Sequence, residues 1–228
     1  VQDWLRETFS RIIDEWGFEY VKTDFLLMGA VPGDRYDPET TGAKAMRKGL
    51  QIIRETIGDH FILACGAPLG PTIGIVDCIR IGPDVSIMWK AETGQEFDNV
   101  SIYAGAQNTV TRSFMHGRLW QNDPDCLNVR DEFGDCMDSI LDNFALDEYR
   151  HPINLKEARL WTSLVGLSGG MVLLSDNMVT LTEERYELLE PLFPVYGKTP
   201  EIIPELSHRD LKVLDQTVKS PFGDIDWH

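Results

Sequence analysis

The chain has 228 residues, 43% hydrophobic and 25% charged, which is the composition of an ordinary folded domain. Its 37 acidic residues outnumber 21 basic ones and leave a formal net charge of −16. Such a surface repels phosphate backbones and anionic lipid, which argues against nucleic acid and membrane partners and leaves neutral substrates such as sugars open. No run approaches the roughly 20 apolar residues of a membrane span, and no basic-apolar-small leader opens the chain, so the default expectation is cytoplasmic. Cys65, Cys78, Cys126 and Cys136 lack CxxC or His-partnered spacing and read as buried thiols. The chain opens at Val1 within a helical pattern, the expectation for a piece of a longer protein.

Trp4, Leu5, Phe9, Ile12, Ile13 and Trp16 recur at three- and four-residue spacing up to Gly17, predicting a helix that feeds the next segment. That segment, 19–26, is apolar at Tyr20, Val21, Phe25 and Leu26 and predicts a largely buried strand running into a Gly- and Pro-punctuated loop at 28–34. Thr41 caps a second helix with Ala43, Met46, Leu50, Ile53 and Ile57 on one side and Gly58 as its stop. Residues 61–66 then form an unbroken apolar strand, so strand, helix and strand read as a βαβ unit of a parallel sheet.

Further strands are expected at 75–81, 118–121 and 169–174, each ending on a polar turn. Helices are expected at about 104–114 and 155–167, in an acidic segment at 130–150 built on Met137, Ile140, Leu141 and Phe144, and after a Thr180–Glu183 capping box as far as about Leu192. Pro200, Pro204 and Pro221 interrupt the remainder, which reads as the start of a β-rich appendage. Five strands with helices between most of them predict an α/β fold of the (β/α)8 type with about its C-terminal five strands, over 1–193, followed by a tail or the start of a C-terminal β domain over 194–228.

The chemistry-bearing residues sit where apolar strands give way to loops. Lys22 and Asp24 lie two apart on a strand and share a face. A buried charge pair there is either a structural salt bridge or the place where barrel enzymes keep their chemistry. Arg80 and Asp84 flank a Gly-Pro turn in the same way. Asp123 and Asp125 suit either a cation or a self-bonded turn, and no metal is assigned. Trp89 and Trp120 suit either sugar stacking or the core.

Taken together, Lys22-Thr-Asp24-Phe-Leu, Gly29-Ala-Val-Pro-Gly33, Ala45-Met-Arg-Lys-Gly49, Cys65-Gly66, Arg80-Ile-Gly-Pro-Asp84 and Trp120-Gln-Asn-Asp-Pro-Asp-Cys126 resemble, in type and order, the retaining α-galactosidases of glycoside hydrolase family 36. The resemblance covers about 1–192. It implies Asp24 as nucleophile and Asp84 as acid/base, with Lys22, Cys65, Gly66 and Arg80 at the sugar and no cofactor. Retaining hydrolysis needs one ionised carboxylate and one carboxylic acid. Asp24 beside an ammonium suits the first role, and Asp84 on a loop that encloses the sugar suits the second. The implied partner is a galactose-containing oligosaccharide. The first three barrel strands of that family and its N-terminal β-sandwich have no counterpart here, so the chain is expected either to form a homo-oligomer or to need the missing N-terminal part of the barrel. A galactosyl transferase of the raffinose-synthase kind and a non-catalytic sugar-binding half-barrel are the competing readings.

Overall fold

The computed structural model describes residues 1–90, 100–133 and 152–198, and beyond them the backbone of 201–202, 214–220 and 223–227. The acidic helix expected on Met137, Ile140, Leu141 and Phe144 lies outside these residues, as do Cys136 and the prolines at 200, 204 and 221. The chain divides into two compact units, Val1–Arg80 with Arg118–Gln121, and Ile81–Gly117 with Asn122–His228.

The first unit opens with helix α1, Gln2–Ser10, which continues as a π-helical turn over Arg11–Glu15. Gly17, at φ +73, ends it, its amide reaching back to the Ile13 carbonyl at 3.1 Å. Of the apolar stripe only Phe9 is buried, and Trp4 and Trp16 are each 61% exposed. Strand β1, Tyr20–Thr23, follows. The expected burial of this strand does not hold: only Val21 is buried, because β1 is the terminal strand of its sheet with described chain on one flank alone.

Helix α2, Gly42–Ile57, starts as expected, the Thr41 hydroxyl accepting the Lys44 amide at 3.3 Å, and its Met46, Leu50, Ile53 and Ile57 are buried. Strand β2, Phe61–Ala64, then pairs parallel with β1 in the register Tyr20 to Phe61 through Thr23 to Ala64. A short helix α3, Leu69–Thr72, leads to strand β3, Cys78–Arg80, parallel to β2 with Ala64 opposite Ile79.

β3 is shorter than the apolar run 75–81 because Ile75 is held in a turn by the Thr72 carbonyl at 3.0 Å, and Asp77 is committed to fastening elements together. Its carboxylate accepts the Ile62 amide at 2.7 Å and the Arg54 guanidinium. Arg54 also donates to the carbonyls of Ile75, Gly58 and His60 at 2.8–2.9 Å, tying the end of α2 to the starts of β2 and β3.

In the second unit, helix α4, Ile102–Arg112, is capped by the Ser101 hydroxyl, which accepts the Ala104 amide at 3.2 Å. Strand β4, Gln121–Asp123, starts three residues later than expected because the chain is still turning at 117–119. Its first residue completes the sheet order β1-β2-β3-β4, the Gln121 amide donating to the Asp77 carbonyl at 2.8 Å.

Strand β5, Cys126–Leu127, was not expected. Neither was its parallel pairing with the last apolar strand, β6, which shrinks from 169–174 to Leu173–Leu174. Among the described residues up to 198, the expectation of five buried strands therefore becomes six short strands, four in one sheet and two in another. Between β5 and β6, helix α5, Leu155–Ser168, carries a full capping box of Asn154 and Glu157 and packs Ala158, Trp161 and Val165 onto Ile102, Leu127 and Val129.

The capping box expected at Thr180 does not form. The Thr180 hydroxyl donates to the Asn177 carbonyl at 3.1 Å, and helix α6 spans only Glu183–Tyr186, followed by turns to Leu192. The remaining described backbone is an antiparallel sheet of β7, Glu201–Ile202, β8, Leu214–Ser220, and β9, Gly223–Trp227. Among the described residues no helix is long and apolar enough to cross a membrane.

Candidate active site

The parallel registers of β1, β2 and β3 set Lys22, Leu63 and Cys78 on one rung, and Thr23, Ala64 and Ile79 on the next. One rung further, where the strands end, come Asp24, Cys65 and Arg80. Side chains alternate along a strand, so these three share a face with Lys22, Leu63 and Cys78. Leu63 and Cys78 are wholly buried and fill the layer below. Polar groups collect above an apolar floor at the C-terminal edge of a parallel sheet, the edge at which α/β folds bind ligands.

Asp24 leaves the strand through a tight turn. Phe25 takes the left-handed conformation at φ 52, and its amide donates to Asp24 Oδ1 at 2.7 Å. The turn is braced on the end of β2: the Leu26 amide reaches the Cys65 carbonyl at 3.4 Å, and the Leu27 amide reaches the Gly66 carbonyl at 2.6 Å. Gly66 is at φ +56, and a Cβ there would lie 3.2 Å from the Phe25 backbone and 3.3 Å from Asp24 Oδ1. Both the backbone angle and the closeness of the Asp24 turn require glycine at this point.

The surroundings keep Asp24 ionised. Its pKa is held below the ordinary value of 3.8 first by a hydrogen bond from the Cys65 thiol, then by the Phe25 amide, with the charges of Lys22 and Arg80 adding to these against desolvation. Burial, and then donation to Asp24, push the Cys65 thiol up to about 11. Cys65 is therefore a neutral donor rather than a thiolate nucleophile. No ion pair joins Lys22 to Asp24 directly, so the structural salt-bridge reading of that pair does not hold.

Because the folded pKa of Asp24 is depressed, its contribution to stability is present above pH 3.8 and is lost as pH falls through the lower folded value. Cys65→Ala removes the leading donor and is expected to move the Asp24 titration up, whereas Cys65→Ser keeps a donor and leaves it low. The carboxyl carbon shift of Asp24 in an NMR titration measures both. A titration unmoved by Cys65→Ala would refute the thiol's part.

In the second unit Asp84 is exposed, on the loop that begins at Ile81, and this corrects the expectation of an enclosed carboxylic acid. The loop is tied to the turn at 122–125. Ile81 donates to the Asp123 carbonyl at 3.0 Å, and Val85 donates to Asp125 Oδ2 at 2.7 Å. The turn bonds itself as well, the Asp125 amide donating to Asp123 Oδ1 at 2.8 Å. Asp123 and Asp125 thus serve as backbone acceptors. Among the described residues no group of three His, Cys, Asp or Glu is arranged to hold a metal ion.

Trp120 is 5% exposed, and Trp89 packs on the core of the second unit, edge-on to Tyr103 at 5.8 Å, so each has a packing role. Arg112, which donates to the Ile81 carbonyl, had no sequence signal. Asp125 had one in the Pro-Asp that follows β4, though the sequence did not name its partner.

The chain is similar in structure to α-galactosidases. It superposes on the α-galactosidase TtGalA of Thermus thermophilus, solved with stachyose, with a TM-score of 0.65 and 26% identity over 84% of this chain and 37% of that one. α-Galactosidase I of Mortierella vinacea matches with a TM-score of 0.62 and 13% identity, over 91% of this chain and 51% of that one. A GH27 β-L-arabinopyranosidase of Geobacillus stearothermophilus, solved with arabinose, matches at 0.60 and 14%, over 94% and 46%. The chain thus spans about half or less of these relatives. At such identities the last two comparisons show the fold alone, an α/β fold with a parallel sheet matching part of their barrels. No family model matches the chain.

Proposed function

We propose that this chain is the catalytic part of a retaining α-galactosidase of the family 36 kind, removing terminal α-linked galactose from oligosaccharides by double displacement. The observation that carries the reading is Asp24, a carboxylate at the end of a parallel strand, kept ionised by a thiol, an amide and two cations, in a chain whose fold matches α-galactosidases. In this reading Asp24 attacks the anomeric carbon and forms a glycosyl ester. Asp84 protonates the departing oxygen and then, as a carboxylate, takes the proton of the incoming water. Lys22 and Arg80 donate to galactose hydroxyls, and the backbone at Gly66 lets the sugar approach closely. Cys65 acts on Asp24 and lines the floor beneath the sugar.

The test is the stereochemistry of turnover by the complete protein. With p-nitrophenyl α-galactoside, proton NMR at early times is expected to show α-galactose as the first product. β-Galactose first, or no release, would refute the reading. Repeating the reaction with sucrose present separates the hydrolase from a galactosyl transferase, which would form a trisaccharide in preference to free galactose.

A further inference from the structure

The loop from Ile81 to Val85 contains Gly82 and Pro83, one with no side chain to pack and the other with no N–H to bond, so its shape has to be imposed from outside. It is imposed at the two ends. At Ile81 both backbone groups are engaged, the N–H with the Asp123 carbonyl and the C=O with the Arg112 guanidinium. At Val85 the N–H is engaged by Asp125 Oδ2 at 2.7 Å. Asp84 stands between these anchors.

Asp125 is itself costly to place. The residue is only 4% exposed, and its backbone sits at φ 81, a conformation that non-glycine residues rarely take. Its own amide is held by Asp123 Oδ1 at 2.8 Å, which fixes the direction of the carboxylate toward Val85. A strained and buried acid whose oxygen meets the backbone one residue after Asp84 has a use beyond closing its own turn.

We propose that Asp125 is the positioning residue for Asp84, holding the Val85 backbone so that the Asp84 side chain leaves the loop in the direction proton transfer requires. The proposal rests on the α-galactosidase reading and adds a residue to it. Asp125 does not touch the sugar. It acts through its hydrogen bond to the Val85 N–H, and its loss leaves Asp84 present but misdirected, a displacement of a kind that costs about 100-fold in rate.

The test uses the complete protein with Asp125→Gly and Asp125→Asn. Glycine removes the acceptor yet adopts φ 81 freely, so it disturbs folding least. Asparagine tolerates the same angle and offers an amide oxygen to the same N–H. Two readouts are taken: hydrogen exchange at the Val85 amide, and kcat/KM for an α-galactoside with a good leaving group, such as dinitrophenolate, beside one with a poor leaving group, such as methanol.

In Asp125→Gly, Val85 is expected to lose its protection. The poor substrate is expected to lose about 100-fold, and the good one, which needs little protonation, only a few-fold. Asp125→Asn is expected to restore most of both. Unchanged exchange at Val85, or equal losses for the two substrates, would overturn the positioning role. A wild-type protein that turns over neither substrate would overturn the α-galactosidase reading instead, and the exchange result would still show whether the clamp exists.

Discussion

Asp24→Gly is expected to lower hydrolysis of α-galactosides by at least about 10⁴-fold, the scale on which removing an attacking group acts. Sodium azide is expected to restore turnover of an activated substrate, with β-galactosyl azide as the product. The glycine leaves a hole on the face of the ring from which the carboxylate attacked, and Asp84 remains to assist the leaving group. Azide entering the hole makes one displacement, so the product is inverted relative to the α-substrate. Asp84→Gly behaves differently under the same assignment: the glycosyl ester on Asp24 still forms, azide attacks it from the opposite side, and the α-azide results. If the two aspartates have the opposite roles, the two products exchange. Proton coupling constants at the anomeric carbon distinguish the products, and a β-azide from Asp84→Gly would refute the assignment.

Asp84→Ala is expected to cost about 10²–10⁴-fold in kcat/KM for substrates whose leaving group needs a proton, and little for those whose leaving group departs as a stable anion. The physical reason is that proton donation matters in proportion to the basicity of the departing oxygen. A plot of log kcat/KM against leaving-group pKa is therefore expected to be steep in Asp84→Ala and shallow in the wild type. Parallel plots would show that Asp84 supports the fold or binds the sugar without acting as the acid.

The two aspartates differ in how far their surroundings could be read in advance. The Lys22–Asp24 spacing places both on one face because a strand alternates, and that holds whatever the strand packs against. Cys65 and Arg80 join Asp24 through the parallel registers of β1, β2 and β3, which the sequence did not supply, since 20–23 and 78–80 carry Lys22, Thr23 and Arg80 among their apolar residues. The helix caps at Thr41 and the stops at Gly17 and Gly58 depend on local backbone chemistry and were legible for that reason.

What failed were inferences from apolarity to burial. Trp4, Trp16 and Tyr20 have the right spacing for a core, yet whether a face is covered depends on which other chain reaches it, and periodicity carries no such information. Strand β5 has two residues, too few for any pattern, and exists because Cys126 and Leu127 find Leu173 and Leu174, some 47 positions away. The Thr180–Glu183 box had the right letters, but the chain turns at Asn177–Thr180 and the helix starts only at Glu183 with Thr182 at its N-cap, which leaves Thr180 outside it.

By itself, then, the sequence determined the order of strands and helices along most of the chain, the face on which Lys22 and Asp24 lie, and the glycines that end helices, because each depends on neighbours within a few residues. Only the tertiary structure decided that the Cys65 thiol serves Asp24, that Gly66 must lack a side chain because the Asp24 turn lies 3.2–3.3 Å away, and that Asp125 holds Val85. Each of these joins residues about 40 positions apart, and a hydrogen bond or close approach of a few ångströms between distant segments is set by how they pack.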